Sequence, residues 1–330
     1  MRVFPRPRIV VSKCVEHESV RWNGQIIRNE FVNNLKNFVD FIPVCPEVGV
    51  GLGVPRATLR LVQVNDDIRL MQPDTGTDFT DKMKNFGEKF LSSLPKVDGF
   101  IMMGRSPSSG LKGVKLYPSM GKVASIGKTS GIFGGMVLKR FSHLPLEEEG
   151  RLKNSRIREH FLRRVYTISS FREVQKSKKI RDLIDFHTEN KLLLKTYNQH
   201  RMRILGLLVA NKNQEPIEDV IGEYEKNLYM ALKKAPRCNS YIYTLENSMG
   251  YFKNELSGAE KQFFLRFLKQ YLDGKVPLIV PVDILRSWIV RFEEEYLARQ
   301  TFFEPYPEGL MDIDSITEAC GTRDYWNEED

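Results

Sequence analysis

Val97–Met103 (VDGFIMM), running directly into Gly104–Gly110 (GRSPSSG), decides how the first half of this chain is read. A short apolar run closed by Pro, Ser and Gly is the pattern of a buried strand that ends in a loop. Two earlier stretches repeat the form, Pro7–Cys14 (PRIVVSKC) and Val39–Cys45 (VDFIPVC), and each ends on a cysteine. Between them Glu30–Phe38 reads as a helix. Thr58–Gln63 and Asp67–Met71 follow as short strands, and Thr77–Leu94 as a helix whose Thr80 can cap its start. Strands alternating with helices predict an α/β layered domain with a Rossmann-like sheet.

Beyond residue 150 the periodicity becomes helical. Arg156–Phe171, Ile180–Tyr197, Ile217–Lys234 and Ser240–Lys253 carry apolar residues at three- and four-residue spacing. Ser257 and Glu260 form a capping box that opens a helix ending at Gly274, and Pro281–Phe292 is the next helix. Three regions are therefore expected: an α/β domain over 1–140, an all-α domain over 141–307 and an acidic, weakly periodic tail over 308–330. The stretch FSHLPLEEEGRLKN, with its proline and acidic run, suits a hinge between the first two.

At 330 residues the chain is long enough for two cores, and 41% hydrophobic residues are enough to fill them. No apolar run approaches the ~18 to 20 residues that span a bilayer. MRVFPRPRIVVSKC does not read as a signal peptide, and four scattered cysteines do not make a disulfide scaffold. A cytoplasmic home is the expectation, with no membrane association and no obligate protein partner. GxSxG, P-loop and CxxC patterns are absent, which removes hydrolase, NTPase and zinc-ribbon readings. Gly49–Arg56 (GVGLGVPR) is glycine-rich, but it is not a GxGxxG fingerprint, so dinucleotide binding is set aside.

The formal charge of +8 is unevenly spread. Glu304–Asp330 holds nine acids against Arg323 alone, which leaves about +16 on residues 1–303. The densest basic stretch contains Arg151, Lys153, Arg156, Arg158, Arg163, Arg164, Arg172, Lys176, Lys178, Lys179 and Arg181, against only Glu159 and Glu173. Such a run can neutralise several phosphates, or it can be a solvated helical face. Phe161, Tyr166 and Phe171, interleaved with it, suit either base stacking or a core-facing side.

The chemistry-bearing residues lie just past predicted strands: Cys14 in VSKC, Cys45 in PVCPE, and the loop Ser106–Gly110. Loops at the carboxyl ends of strands in an open α/β sheet converge on one crevice. On spacing alone the two cysteines can also be small buried hydrophobes. His187 and Lys191 share a helix face at i, i+4, and no further metal-ligand spacing joins them or His17, His143, His160 and His200.

SKC…RWNG (Ser12–Cys14, Arg21–Gly24), PVCPEVGVGLGVPR (Pro43–Arg56), RL…TG.D.T (Arg69–Thr80) and DGFIMMGRSPSSGLKGVKLY (Asp98–Tyr117) resemble the thiouracil and tRNA 4-thiouridine desulfidase family. The second half is similar to the YbgA-like helical domain fused to the tRNA branch of that family. The matching stretches there are EEEGRLKN (Glu147–Asn154), IREHF (Ile157–Phe161), DFHTENKLLL (Asp185–Leu194), MGYFK (Met249–Lys253) and VPLIVPVDILR (Val276–Arg286). The resemblance implies a 4Fe-4S cluster held by three cysteines, with one iron open to a thiocarbonyl sulfur that water then replaces. It assigns Cys14 and Cys45 as two ligands, Glu47 as the acid that handles protons and Ser106 as a contact to the base or the leaving sulfur. It implies a tRNA carrying a thiolated uridine as partner, with the basic residues from Arg151 to Arg181, Lys153 aside, as its phosphate contacts.

Four positions depart from the family pattern. Ser109 stands where the motif SPSCG has the third cluster cysteine, Gly49 where PEVE has a second acid, and Tyr241 and Asn247 where histidines are common. A serine oxygen is a hard donor, whereas these clusters are held by thiolates. Three explanations of Ser109 stay open: an engineered Cys-to-Ser change in a desulfidase, a natural desulfidase whose cluster is completed by the serine oxygen or a distant cysteine, and a clusterless relative that binds RNA without chemistry.

Overall fold

The computed structural model describes residues 2–311. The predicted tail therefore lies largely outside the described residues. Arg6–Lys153 forms one compact unit; the described residues from Asn154 onward, with the segment before Arg6, form the other.

The first unit runs β1 (Arg8–Ser12), α1 (Glu30–Leu35), β2 (Asp40–Val44), α2 (Pro46–Gly49), β3 (Arg60–Val64), β4 (Asp67–Gln72), β5 (Thr77–Asp78), α3 (Thr80–Ser93), β6 (Gly99–Met102), β7 (Val114–Tyr117), β8 (Gly127–Thr129), α4 (Ile132–Phe141) and β9 (Leu146–Glu148). Four of these strands make an all-parallel sheet in the order β2-β1-β6-β9. Ile9, Val10, Val11, Phe100, Ile101 and Met102 are fully buried, as expected of parallel strands covered on both faces. The chain leaves β1 for β2 on one side and later places β6 on the other. Between β1 and β6 the winding therefore reverses, which is where open α/β sheets leave a crevice beyond the strand ends.

The predicted boundary moves from 140 to 153, and the physical reason is β9. The acidic run read as a hinge pairs in parallel with β6, matching Phe100 with Leu146 and Met102 with Glu148. A second sheet, β5-β4-β3-β7-β8, combines one parallel pair, β3–β7, with three antiparallel ones. Thr80 does not cap α3. Its hydroxyl accepts from the Leu70 amide at 2.8 Å, and Asp78 accepts from the Thr80 amide at 2.7 Å instead.

The second unit is helical: α5 (Ser155–Ser177), α6 (Ile180–Tyr197), α7 (Gln199–Ala210), α8 (Ile217–Ala231), α9 (Cys238–Met249), α10 (Gly258–Leu272), α11 (Ile279–Arg291) and α12 (Glu295–Ala298). The Ser257–Glu260 capping box opens α10 as predicted. Asn198 closes α6 and caps α7, its side chain accepting from Arg201 at 2.9 Å. Leu193, Leu245, Phe264, Leu285 and Leu297 are the fully enclosed centre of this unit's core. Among the described residues no helix is long and apolar enough to cross a membrane.

Candidate active site

Four strand ends on one edge of the parallel sheet surround a cavity of about 710 Å3. Ser12 and Cys14 reach it from β1, Cys45 and Glu47 from β2, Gly104–Ser109 from β6, and Glu148 and Glu149 from β9. Arg21, Trp22, Arg56, Arg105 and Arg151 also line it. Cys14, Cys45, Glu47, Ser106 and Ser109, the candidates named from the sequence, all line this one cavity.

Backbone amides and hydroxyls hold this edge in place. The Met103 amide donates to Ser12 Oγ at 2.8 Å, tying β6 to β1 at the point where the winding reverses. Glu149 accepts from the Gly104 amide at 2.6 Å, while Glu148 accepts from Leu111 and Lys112 at 2.8 and 3.1 Å. Glu148 at the end of β9 and Glu149 just beyond it therefore grip both flanks of the Ser106–Gly110 loop. Its carbonyls in turn satisfy the otherwise orphan amides at the start of α4. Gly131 donates to Gly110 at 2.8 Å, Ile132 to Pro107 at 3.2 Å and Gly134 to Ser108 at 3.0 Å. The approach is so close that a Cβ on Gly134 would stand 2.2 Å from the Gly110 carbonyl oxygen. Glycine is required there by space, which explains the GIFGG segment.

Glu47 sits on the short helix α2 and is clamped twice. Arg56 Nε lies 2.7 Å from one carboxylate oxygen, and Ser108 Oγ donates to the other at 2.6 Å. Ser106 Oγ is 2.9 Å from Ser108 Oγ, and it accepts from the Ser108 and Ser109 amides at 3.3 and 3.2 Å. Because the single hydroxyl proton of Ser108 goes to Glu47, the Ser106 hydroxyl must donate to Ser108. A directed relay results, from Ser106 through Ser108 to the carboxylate. Ser108 and Arg56 carried no assigned role in the sequence. The signal for Arg56 was faint, a lone cation nine residues after Glu47 in a glycine-rich loop.

Burial pushes the Cys14 thiol up to about 12, reinforced by Cys45, Glu47 and Glu149 around it. Cys45 is raised as well, by burial first and Glu47 next, with local amides and Arg56 opposing. Burial also raises Glu149, against the amide of Gly104. This is a crowd of acidic groups with one clamped arginine in their midst, an arrangement that a cationic centre would relieve. The donor chemistry therefore suits an iron–sulfur cluster at Cys14 and Cys45. The third loop offers the buried Ser109, a hard oxygen, and no trio of His, Cys, Asp and Glu among the described residues could hold a single metal ion. The departure at Gly49 also has a physical account. A Cβ there would fall 2.2 Å from the Phe86 ring, which packs against Phe90 and Phe133.

Residues 9–149 match the family model of 2-thiouracil desulfurases, and residues 191–307 match a family described as proteins of unknown function, DUF1722. The uncharacterized protein YbgA of Escherichia coli (strain K12) is 25% identical over 126 residues, covering 38% of this chain and 75% of the relative. The chain is a desulfidase-type domain fused to a YbgA-like domain. A solved structure of the 4Fe-4S-dependent thiouracil desulfidase TudS is also similar, at 22% identity over 45% of this chain and 94% of that one, with a TM-score of 0.37.

The predicted RNA contacts in the YbgA-like domain need correction. Helix α5 buries fifteen of its 23 residues, so it is a central helix and not a basic outer face. Arg158, Arg163 and Arg172 are buried, and Arg156 and Arg164 are half-buried. Arg163 donates to the Tyr241 hydroxyl at 3.2 Å and to Glu159 at 3.1 Å, with its guanidinium 5.3 Å from the Tyr241 ring. Phe161, Tyr166 and Phe171 are core residues. Phe171, for instance, meets Tyr224 and Phe186 at ring separations of 5.3 and 5.4 Å. The exposed cations of the run are Arg151 and Lys153 at its start and Lys176, Lys178, Lys179 and Arg181 at its end. His187 is likewise internal, its Nδ1 lying 3.0 Å from the Tyr224 hydroxyl, whereas Lys191 faces solvent.

Proposed function

We propose that this protein removes sulfur from a thiolated pyrimidine, the 4-thiouridine of tRNA, giving uridine and hydrogen sulfide. What carries the reading is the convergence of Cys14, Cys45 and the Ser106–Ser108–Glu47 relay on one cavity at the strand ends. A cluster bound through Cys14 and Cys45, with Ser109 at the third position, would supply a soft Lewis acid for the thiocarbonyl sulfur.

The protein's own side chains account for the rest of the chemistry. Replacing C=S by C=O consumes one water, whose oxygen stays on the ring carbon and whose two protons leave with the sulfur. Glu47, held in one orientation by Arg56 and Ser108, takes the proton that water loses as it attacks. Ser106, at the other end of the relay, returns a proton to the departing sulfur. The two backbone amides on Ser106 Oγ fix its position before substrate enters. Phosphate contacts fall to the exposed ends of the basic run, Arg151 with Lys176, Lys178, Lys179 and Arg181.

The test is anaerobic reconstitution with iron and sulfide, followed by incubation with tRNA containing 4-thiouridine. Loss of the thiocarbonyl absorbance with stoichiometric sulfide release is the expected result. Reconstituted protein that contains iron and binds the tRNA but leaves the thiocarbonyl intact would overturn the desulfidase reading in favour of RNA binding alone.

A further inference from the structure

Trp22 is 43% exposed at the cavity, and no core requirement explains a large aromatic left there. Its loop is nonetheless firmly built. Gly24, at φ 72°, closes a turn by donating to the Arg21 carbonyl at 2.8 Å. The Arg56 amide donates to the Trp22 carbonyl at 2.8 Å, and Arg56 Nη2 donates to the Val20 carbonyl at 3.0 Å. The arginine that orients Glu47 therefore also fixes the backbone that presents the indole. The Arg21 guanidinium lies 6.0 Å from the Trp22 ring centroid, and the exposed Arg105 lines the same cavity.

The lining is thus divided by chemistry. Thiols and carboxylates stand at the strand ends, while Trp22, Arg21 and Arg105 belong to the loops around them. A free thiolated base is uncharged and has no use for those cations. A nucleotide within a chain carries a base with a π face and phosphates on either side, which matches one indole flanked by two guanidiniums. Resting on the reading of the cavity as a thiolated-pyrimidine site, we infer that Trp22 is a stacking platform for the admitted nucleobase. Arg21 and Arg105, on the adjoining phosphates, then favour a pyrimidine within a polynucleotide over the free base. Turning a base outward costs a few kcal/mol of lost stacking, and an indole waiting at the entrance replaces part of it.

The experiment uses the full chain with Trp22→Ala and Trp22→Phe, and three probes: a single-stranded oligoribonucleotide with one 4-thiouridine, its uridine counterpart and free 4-thiouracil. Binding is measured by fluorescence anisotropy for the oligonucleotides and by calorimetry for the free base. Long-wave ultraviolet irradiation crosslinks the thiolated base to whatever it touches. Trp22→Ala is expected to weaken both oligonucleotides roughly ten- to a hundredfold, while Trp22→Phe stays within a few-fold of wild type; free 4-thiouracil, which has no phosphates to place, binds wild type more weakly than either oligonucleotide does. The crosslink should map to the peptide around Trp22 and vanish in Trp22→Ala. On turnover, Trp22→Ala should raise KM for the oligonucleotide by a larger factor than it lowers kcat. Unchanged oligonucleotide affinity in Trp22→Ala, or a crosslink mapped elsewhere, overturns the platform whether or not the protein desulfidates. Intact Trp22-dependent binding with no sulfide released by wild type overturns the reaction and leaves the platform standing.

Discussion

Two regions of this molecule withdraw charged side chains from water, and they do it in opposite ways. At the strand ends Glu47, Glu149, Cys14 and Cys45 are each anchored by amides, a hydroxyl or Arg56, yet all border one open space. Inside the helical unit Arg163 is buried, held by Glu159, Tyr241 and the rings of the core. Burial pushes Cys14, Cys45 and Glu149 toward their neutral forms, whereas Tyr241 and Glu159 keep Arg163 charged against its burial. Only the first leaves a face from which a substrate or metal can profit. A displaced titration thus points to chemistry where the group is held and still accessible, and to architecture where it is held and sealed.

The sharpest way to break this comparison is to remove the thiols. Cys14→Ala and Cys45→Ala should each reduce iron incorporation after anaerobic reconstitution to background, with melting of the helical unit unchanged; Ser109→Cys should raise it. Undiminished iron in either alanine variant would mean that the open region is not a metal site. Next in size, Glu47→Gln keeps the shape and loses the charge. It should lower kcat/KM for desulfidation by about 10²- to 10⁴-fold, the usual worth of a positioned acid–base group. A change of less than about tenfold would transfer that role to another cavity acid such as Glu149.

On the sealed side, Arg163→Ala leaves Glu159 and Tyr241 without their partner. It should cost about 2–3 kcal/mol in denaturant unfolding, below the range for a fully buried charged pair because Glu159 keeps partial access to water. Lys178→Glu with Lys179→Glu, at the exposed end of the same run, should leave stability within about 0.5 kcal/mol while flattening the salt dependence of tRNA affinity. Equal salt slopes would leave those lysines as solvated charges only.

The smallest expected effect concerns pH. Burial, with Lys191 nearby, pushes His187 down to about 4, and burial with Arg164 and Arg163 pushes His160 well below its ordinary range. The unfolded chain protonates these imidazoles near pH 6.5, before the folded one does. Folded stability is therefore full above about 6.5 and declines as pH falls toward 4, by at most about 3 kcal/mol for His187. His187→Gln should flatten that part of the stability–pH curve, and an unaltered curve would show that the imidazole is not sealed.

The site was legible because it depends on where strands end. Each of PRIVVSKC, VDFIPVC and VDGFIMM announces its own terminus through an apolar run and a break, and parallel pairing then gathers those ends without further information. The Leu146–Glu148 strand was not legible. Three residues with two acids show no alternation, and only pairing with β6 makes them a strand. β7 and β8 share that brevity, and α4 carries paired glycines that its contacts require but its propensity opposes. The basic run misled because a count of charges along a helix says nothing about what surrounds it. Fifteen buried positions in α5 reflect neighbours hundreds of atoms away in sequence, Tyr224, Tyr241 and Tyr306 among them.

The Phe86 ring over Gly49 carries a consequence for descent. A side chain at position 49 requires the Phe86 ring to turn aside from Phe90 and Phe133, and a smaller residue at 86 alone would open a void beneath α2. The two sites are coupled: Gly49→Glu and a slimmer residue at 86 should cost less together than the sum of the two changes made singly. Relatives bearing the second acid should therefore carry something slimmer than phenylalanine at the position facing it, and the pair should be inherited as one character.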